Sequence, residues 1–425
     1  PRRQRRQWQR VRRAWLSARR VLLYPRTWPP CATRVHSPWL PLLPLLLPPV
    51  ALVRAPLPLR RLPPRRWPSA LPALGRIPCG ERYVYCSCSA GVLFQCTTAP
   101  PPPPTPHPRP QPNSIQFTPL ARATGAVNLG QGFPDWATPD FVKAAMKRAV
   151  DENHNQYARS AGHPALVQAL AKRYSAVFGR ELNWETQVTV GVGSSETLFA
   201  IMQSFVDPGD EVVLISPAFD IYSAQVAMAG GVAKYVPLRL KPHPTTPGVQ
   251  VWGLDAAELR AAFSPRTKML VLNTPQNPTG KMFSAGELAE IASVVADFPR
   301  ALVVSDEVYE HMTYDGTVHH RFANQPGMWD RTITVASAGK TFSITGWKVG
   351  WAIGPAALIA GIITTNQWVQ FSVSTPAQQA VAYCLEAADA EYEGFPTYYD
   401  WLRAEYARKR GILMAALSAA GACWG

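Results

Sequence analysis

The chain has 425 residues, with 47% hydrophobic and 17% charged, enough apolar material for a sizeable core and too much for a wholly disordered chain. Its net charge of +15 is not spread evenly. Residues 1–112 hold 19 Arg, no Lys and one acid, Glu81, whereas residues 113–425 hold 24 basic and 27 acidic residues and are mildly acidic. The whole-chain charge therefore does not make the globular part a nucleic-acid or membrane binder.

Proline and cysteine divide the same way: 25 of 43 Pro and five of seven Cys lie before residue 113. With only Cys384 and Cys423 behind, the rest of the chain suits a reducing compartment without a disulfide framework. No stretch reaches the roughly 18–20 unbroken apolar residues of a membrane helix. The nearest, Trp39 to Val53, is interrupted by Pro41, Pro44, Pro48 and Pro49.

Nine Arg among the first twenty residues and the PPPPP run at 100–104 mark residues 1–112 as an extension of extended or polyproline II character. Three readings stand: a disordered extension or gene-model artefact, an organelle-targeting segment, and a nucleic-acid-binding arm. They leave the location open between cytoplasm and mitochondrion. Cys86, Cys88 and Cys96 lack the spacing and His partners of a zinc site, and the eight His show no metal-ligand spacing.

From about Asn113 helical and strand patterns alternate. Thr138-Pro139-Asp140 reads as a helix start, with a capping hydroxyl, Pro in the first position and an acid in the first turn. Phe141, Val142, Ala145, Met146 and Ala149 follow on one apolar face. A second helix follows Pro164, with Leu166, Val167, Leu170, Tyr174 and Val177 on its buried side. Buried strands are predicted at Val188–Val190, Val212–Ile215, Met269–Leu272, Ala301–Val304, Thr332–Val335 and Trp351–Ile353. Helical stretches such as Glu287–Val295 lie between several of them. The class is α/β, with a mostly parallel sheet sandwiched by helices.

Such sheets bind ligands at the carboxyl ends of their strands. Four of those ends carry small, polar or ionisable residues: Gly193-Ser194-Ser195, NTPQNPTG (273–280), SDEVY (305–309) and SAGKTFSITGWKVGW (337–351). Lys340, flanked by small residues, can bring its amine against a bound carbonyl, and burial beside other cations would favour the free amine. Asp306, at the end of a buried strand, needs a cationic partner to stay ionised, and a protonated pyridine nitrogen is one. A Lys and an Asp so placed are the minimal set for pyridoxal phosphate. A helix start at Gly193-Ser194-Ser195 together with Lys348 can take the phosphate.

With LGQGFPDW (129–136) and SDEVYEHMTYDG (305–316), these spans resemble the class I pyridoxal-phosphate aminotransferases of fold type I. Within that family the chain is most similar to the kynurenine aminotransferases, also called glutamine transaminases K or cysteine-S-conjugate β-lyases. The resemblance runs from about residue 113 to the end. It implies a small domain beginning at 113–154, a large cofactor-binding domain at 155–400, and the start of the small domain's C-terminal part at 401–425. It implies that Lys340 binds pyridoxal 5'-phosphate as a Schiff base and moves the substrate proton, and that Asp306 pairs with the ring nitrogen. Asn277 and Tyr309 would hydrogen-bond the phenolic oxygen, and Phe219, in SPAFDIY, would stack on the ring. Ser337, Lys348 and the amides of Ser194 and Ser195 would hold the phosphate. Tyr157 would reach the phosphate of the partner subunit in a homodimer, and Gly132 would meet the substrate through its backbone.

The implied reaction moves an amino group from an α-amino acid (kynurenine, glutamine, methionine or an aromatic) to a 2-oxo acid. Competing readings are a β-lyase, a cofactor-binding protein with little activity, and an Arg-rich nucleic-acid binder carrying a passenger domain. Members of the family continue beyond the position of Gly425, and that stretch would supply the Arg that clamps the substrate carboxylate. Arg403, Arg408 and Arg410 read instead as one face of a linking helix. The expectation is a complete cofactor site and an incomplete substrate site, from a truncated gene model, a fragment or a short form.

Overall fold

Strands built from unbroken β-branched and aliphatic residues must be covered on both faces, and that requirement organises the molecule. The structure is a computed structural model that describes residues 113–128, 131–134, 136–243, 247 and 249–420. The Arg- and Pro-rich extension, Cys86, Cys88, Cys96 and Cys423 lie outside the described residues.

Three helices come first: α1 (Asn113–Thr124), α2 (Asp140–Asp151) and α3 (Pro164–Phe178). Then follow β1 (Val188–Val192), α4 (Gly193–Phe205), β2 (Glu211–Ser216), α5 (Ile221–Met228) and β3 (Val232–Pro237). A small hairpin of β4 (Arg239–Pro242) and β5 (Gln250–Gly253) leads into α6 (Ala256–Ala262), β6 (Thr267–Asn273), α7 (Ala285–Ala296) and β7 (Leu302–Asp306). The chain continues through β8 (Thr332–Ser337), the short α8 (Ala338–Thr341), β9 (Val349–Ile353), α9 (Ala356–Val369), α10 (Thr375–Ala387) and α11 (Tyr398–Ala419).

The main sheet has the order β1-β9-β8-β7-β6-β2-β3. Neighbours from β3 to β8 are parallel, whereas β9 is antiparallel to both β8 and β1. One reversed strand in an otherwise parallel sheet thus puts the amino end of β9 beside the carboxyl ends of the rest. Side chains alternate across each strand. Met269 and Val271 of β6 pack with Leu198, Ile201, Ile359 and Ile362 of α4 and α9. Leu270 and Leu272 pack with Leu259, Leu288 and Ile291 of α6 and α7. A third cluster joins β1, β8 and β9 to α2, α3, α10 and α11.

Two local expectations are corrected. Pro139 is the residue before the first turn of α2 and no side chain caps that turn; the Thr138 hydroxyl donates to the Ser343 carbonyl at 3.4 Å instead. In α3 Phe178 joins Tyr174 on the buried side, and Val177 is only half-buried. Among the described residues no helix is long and apolar enough to cross a membrane.

Candidate active site

The carboxyl ends of β6, β7 and β8 and the amino end of β9 converge on one place. Lys340 rises from α8, which begins directly at the end of β8. Its Nζ donates to the Gly132 carbonyl at 3.2 Å and lies 5.5 Å from the centre of the Tyr309 ring. Burial lowers the Lys340 pKa, Lys348 pushes the same way, and Asp306 opposes both. The amine is biased toward its neutral, nucleophilic form.

Asp306 ends β7 and is 3% exposed. The Tyr222 hydroxyl donates to its Oδ2 at 2.6 Å, and the Val308 N–H donates to Oδ1 at 3.3 Å. Burial pushes the carboxyl up to about 6; Tyr222 and Val308 pull it down, Glu307 pushes it further up, and Lys340 lowers it. A buried carboxylate without a directly bonded cation is costly. That is the signature of a place kept for a cation.

Tyr309 is raised to about 12, first by burial and then by the Asp306 charge, with the Asn277 side-chain hydrogen bond opposing. Asn277 is held in turn through its N–H, which donates to Asn273 Oδ1 at 2.7 Å, while Asn273 Nδ2 donates to the Asp306 carbonyl at 2.9 Å. Asn273 therefore ties the loop after β6 to the end of β7. Phe219, in the loop after β2, stands edge-on to Tyr222 with ring centres 5.7 Å apart.

The other half of the site is a cradle of backbone. Gly193 (φ +73°) turns the chain from β1 straight into α4, whose first turn has no side-chain cap, so the amides of Ser194 and Ser195 sit at an open helix start. A Cβ on Gly350 would come within 2.4 Å of the Ser194 nitrogen, so only Gly lets β9 approach this closely. Lys348 has left-handed backbone (φ 56°), and its Nζ lies 3.3 Å from where a Gly193 Cβ would stand. The Ser337 hydroxyl already serves the protein: it accepts the Gly339 N–H at 3.1 Å and donates to the Val349 carbonyl at 3.2 Å.

Lys340, Asp306, Tyr309, Asn277, Ser194, Ser195, Ser337, Lys348 and the Gly132 carbonyl are thus gathered at one end of the sheet. Tyr157 is not part of that cluster within the chain; it is 82% exposed and packs edge-on against Phe371 at 5.1 Å. Arg403, Arg408 and Arg410 do not form one face. Five positions on a helix turn about 140°, so Arg408 pairs with Glu405 while Arg403 pairs with Asp400 and Arg410 reaches Asp315.

Directly behind the site lies a buried ionic clamp. Arg321 donates to both Glu307 and Glu310, which flank Tyr309 in the turn after β7. Ser305 and His319 also meet Glu307, at 2.7 and 3.1 Å. The Tyr174 hydroxyl donates to Glu310 at 2.5 Å and accepts the Trp351 indole N–H at 3.2 Å. Burial is the largest single influence and would raise the two carboxyls, but Arg321 together with the neighbouring His and hydroxyl groups outweighs it and both are lowered, Glu310 to about 2.

The fold and this cluster define an enzyme of the fold-type I aminotransferase kind. The sequence matches the family Aminotransferase class I and II over residues 124–424, and the chain belongs to that family. It is 51% identical over 315 residues to a kynurenine–oxoglutarate transaminase of Dictyostelium discoideum, covering 72% of this chain and 71% of that one. It is 45% identical over 291 residues to kynurenine–oxoglutarate transaminase 1 of Rattus norvegicus, covering 67% and 68%. Among solved structures it resembles N-succinyldiaminopimelate aminotransferase from Mycobacterium tuberculosis, with 40% identity and a TM-score of 0.66 over 73% of this chain and 77% of that one. The aspartate aminotransferase of Thermus thermophilus, solved with maleate, gives 33% identity and 0.63 over 73% and 78%. The chain is an aminotransferase: its reaction moves an amino group between an amino acid and a 2-oxo acid.

Proposed function

We propose that the cluster holds pyridoxal 5'-phosphate and that kynurenine, or a related donor such as glutamine, methionine or an aromatic amino acid, gives up its amino group here to a 2-oxo acid. One observation carries the reading. The ends of the adjacent strands β7 and β8 present a buried carboxylate and a half-buried amine, and neither forms an ion pair among the described residues. Aimed at one small molecule, the pair fits a group with an aldehyde at one position and a basic ring nitrogen at another.

When bound, pyridoxal phosphate supplies a sink for the electrons released at the substrate Cα. This chain's residues do the rest. Asp306 holds a proton at the ring nitrogen. The Lys340 amine anchors the cofactor and, when released, carries the proton to and from the substrate Cα. Tyr309 and Asn277 hydrogen-bond the phenolic oxygen, and Phe219 covers one face of the ring. The amides of Ser194 and Ser195 and the Lys348 ammonium receive the phosphate, and the Ser337 hydroxyl joins them by turning its proton away from the Val349 carbonyl. Gly132 offers backbone to the substrate. Tyr157 serves the phosphate of a partner subunit in a homodimer, a role supported by its exposure and its edge-on contact with the exposed Phe371. The choice of donor is supported by the likeness to the kynurenine–oxoglutarate transaminases.

The test is to load the full chain with pyridoxal phosphate, reduce with borohydride, and map the labelled peptide. Label on Lys340 is expected, and label on Lys348 overturns the assignment. The unreduced enzyme, given kynurenine and 2-oxoglutarate, should form glutamate. Turnover of methionine or glutamine without kynurenine would narrow the donor and leave the site assignment intact.

A further inference from the structure

Asp306 is held from an unexpected side. Its Oδ2 takes the short hydrogen bond from Tyr222, a residue of α5 rather than of the strand ends that carry the rest of the cluster. Tyr222 is 3% exposed, and its ring packs among the residues on that face of the sheet. Its N–H donates to the Phe219 carbonyl at 3.2 Å. One turn of chain thus carries both the ring expected to stack on the cofactor and the hydroxyl that grips the carboxylate.

We propose that Tyr222 is a positioning residue for the transamination: its hydroxyl fixes the Asp306 carboxylate through Oδ2 and keeps it ionised, leaving Oδ1 to face the ring nitrogen. The inference rests on the proposed function. A Phe would fill the same apolar space, so packing does not explain the hydroxyl. A buried hydroxyl needs a partner, and Asp306 is the one it has. The groups facing Asp306 are Tyr222 from α5, Glu307 and Tyr309 from its own turn, and Lys340 from α8. Of these, only Tyr222 donates a short hydrogen bond to the carboxylate, and such a bond favours the charged form. Val308 contributes the longer, weaker backbone bond.

The experiment uses the full chain and pyridoxal phosphate as probe, with dissociation constants measured across pH 5 to 9 for wild type and Tyr222→Phe. Ionised Asp306 binds the cofactor better, so affinity weakens as pH falls through the Asp306 titration. Losing a hydrogen bond to the charged form should move that limb up by about one pH unit and weaken binding about fivefold at pH 6 and about tenfold at pH 5. Tyr174→Phe strips an equally buried hydroxyl that serves Glu310, and should leave the limb in place while lowering the unfolding midpoint. In an Asp306→Asn background, Tyr222→Phe should change affinity less than twofold. Coincident limbs for Tyr222→Phe and wild type overturn the inference, as does an equal loss in both backgrounds. A wild-type chain that takes up no pyridoxal phosphate overturns the proposed function itself, and the inference falls with it.

Discussion

Asp306 and Glu310 are four residues apart, both buried, at the two ends of one turn, and their ionisation is driven in opposite directions. Asp306 is pushed up to about 6, because the desolvation of burial is met only by a hydroxyl, one amide and a more distant amine. Glu310 is held at about 2, because the Arg321 guanidinium bonds to it directly. Burial is common to both, so the partner decides. The turn is a closed circuit on one side and an open one on the other, and the open side is where the proposed cofactor would add free energy.

That contrast can be broken from either side. The largest effect should come from the closed side. Arg321→Met leaves Glu307 and Glu310 buried without their cation and should cost about 3–5 kcal/mol in chemical denaturation. Replacing both glutamates by Gln in the same chain should recover much of it. A loss below about 1 kcal/mol would show the clamp to be solvated in solution.

On the open side the sign reverses. Asp306→Asn removes a charge that burial disfavours, so the cofactor-free protein should gain on the order of 1–3 kcal/mol near neutral pH. Its transaminase activity should nevertheless fall by roughly a hundredfold or more on the proposed assignment, since an amide in place of Asp306 would not hold a proton on the cofactor's ring nitrogen. Denaturation and steady-state kinetics on one preparation would separate the two. A variant both destabilised and active would erase the distinction.

The smallest effects should appear in pH profiles of thermal unfolding without cofactor. Asp306 has a folded pKa of about 6 against an ordinary 3.8, so its contribution favours folding below pH 3.8 and is lost as pH rises through 6. The gain from Asp306→Asn should therefore vanish near pH 4 and be complete above pH 6. Glu310, lowered from 4.5 to about 2, stabilises above pH 4.5 and loses that contribution as pH falls toward 2. The penalty of Glu310→Gln should shrink only in that acid window. Parallel profiles for the two variants would refute the opposed shifts.

The sequence exposes the central strands because β6, β7 and β8 are buried on both faces and so are written largely in aliphatic and β-branched residues. The edge strand β3 escapes such a reading, because Lys234 and Tyr235 reach solvent from it. The β4–β5 hairpin is likewise largely exposed and carries no continuous apolar run. Looking just after each strand finds Asp306, Asn277, Ser194 and Lys340, all at carboxyl ends. Lys348 precedes its strand, and only the reversal of β9 explains why it belongs with them. Arg321 and Tyr222 leave no spacing signal. Their partners are brought to them by the fold, and in the sequence Tyr222 looks like one more residue of an apolar helix face.

The reversal of β9 has one more consequence. Ser337 and Gly350 face each other across the sheet, so the segment between them is a loop pinned at both feet. Lys340 and Lys348 both stand on it. The separation between the amine proposed to meet the cofactor's aldehyde and the ammonium proposed to meet its phosphate is therefore set by a fixed length of chain, as by a gauge. A single inserted or deleted residue in that loop would miscalibrate the gauge without touching either lysine, so this stretch should tolerate substitution far better than any change of length.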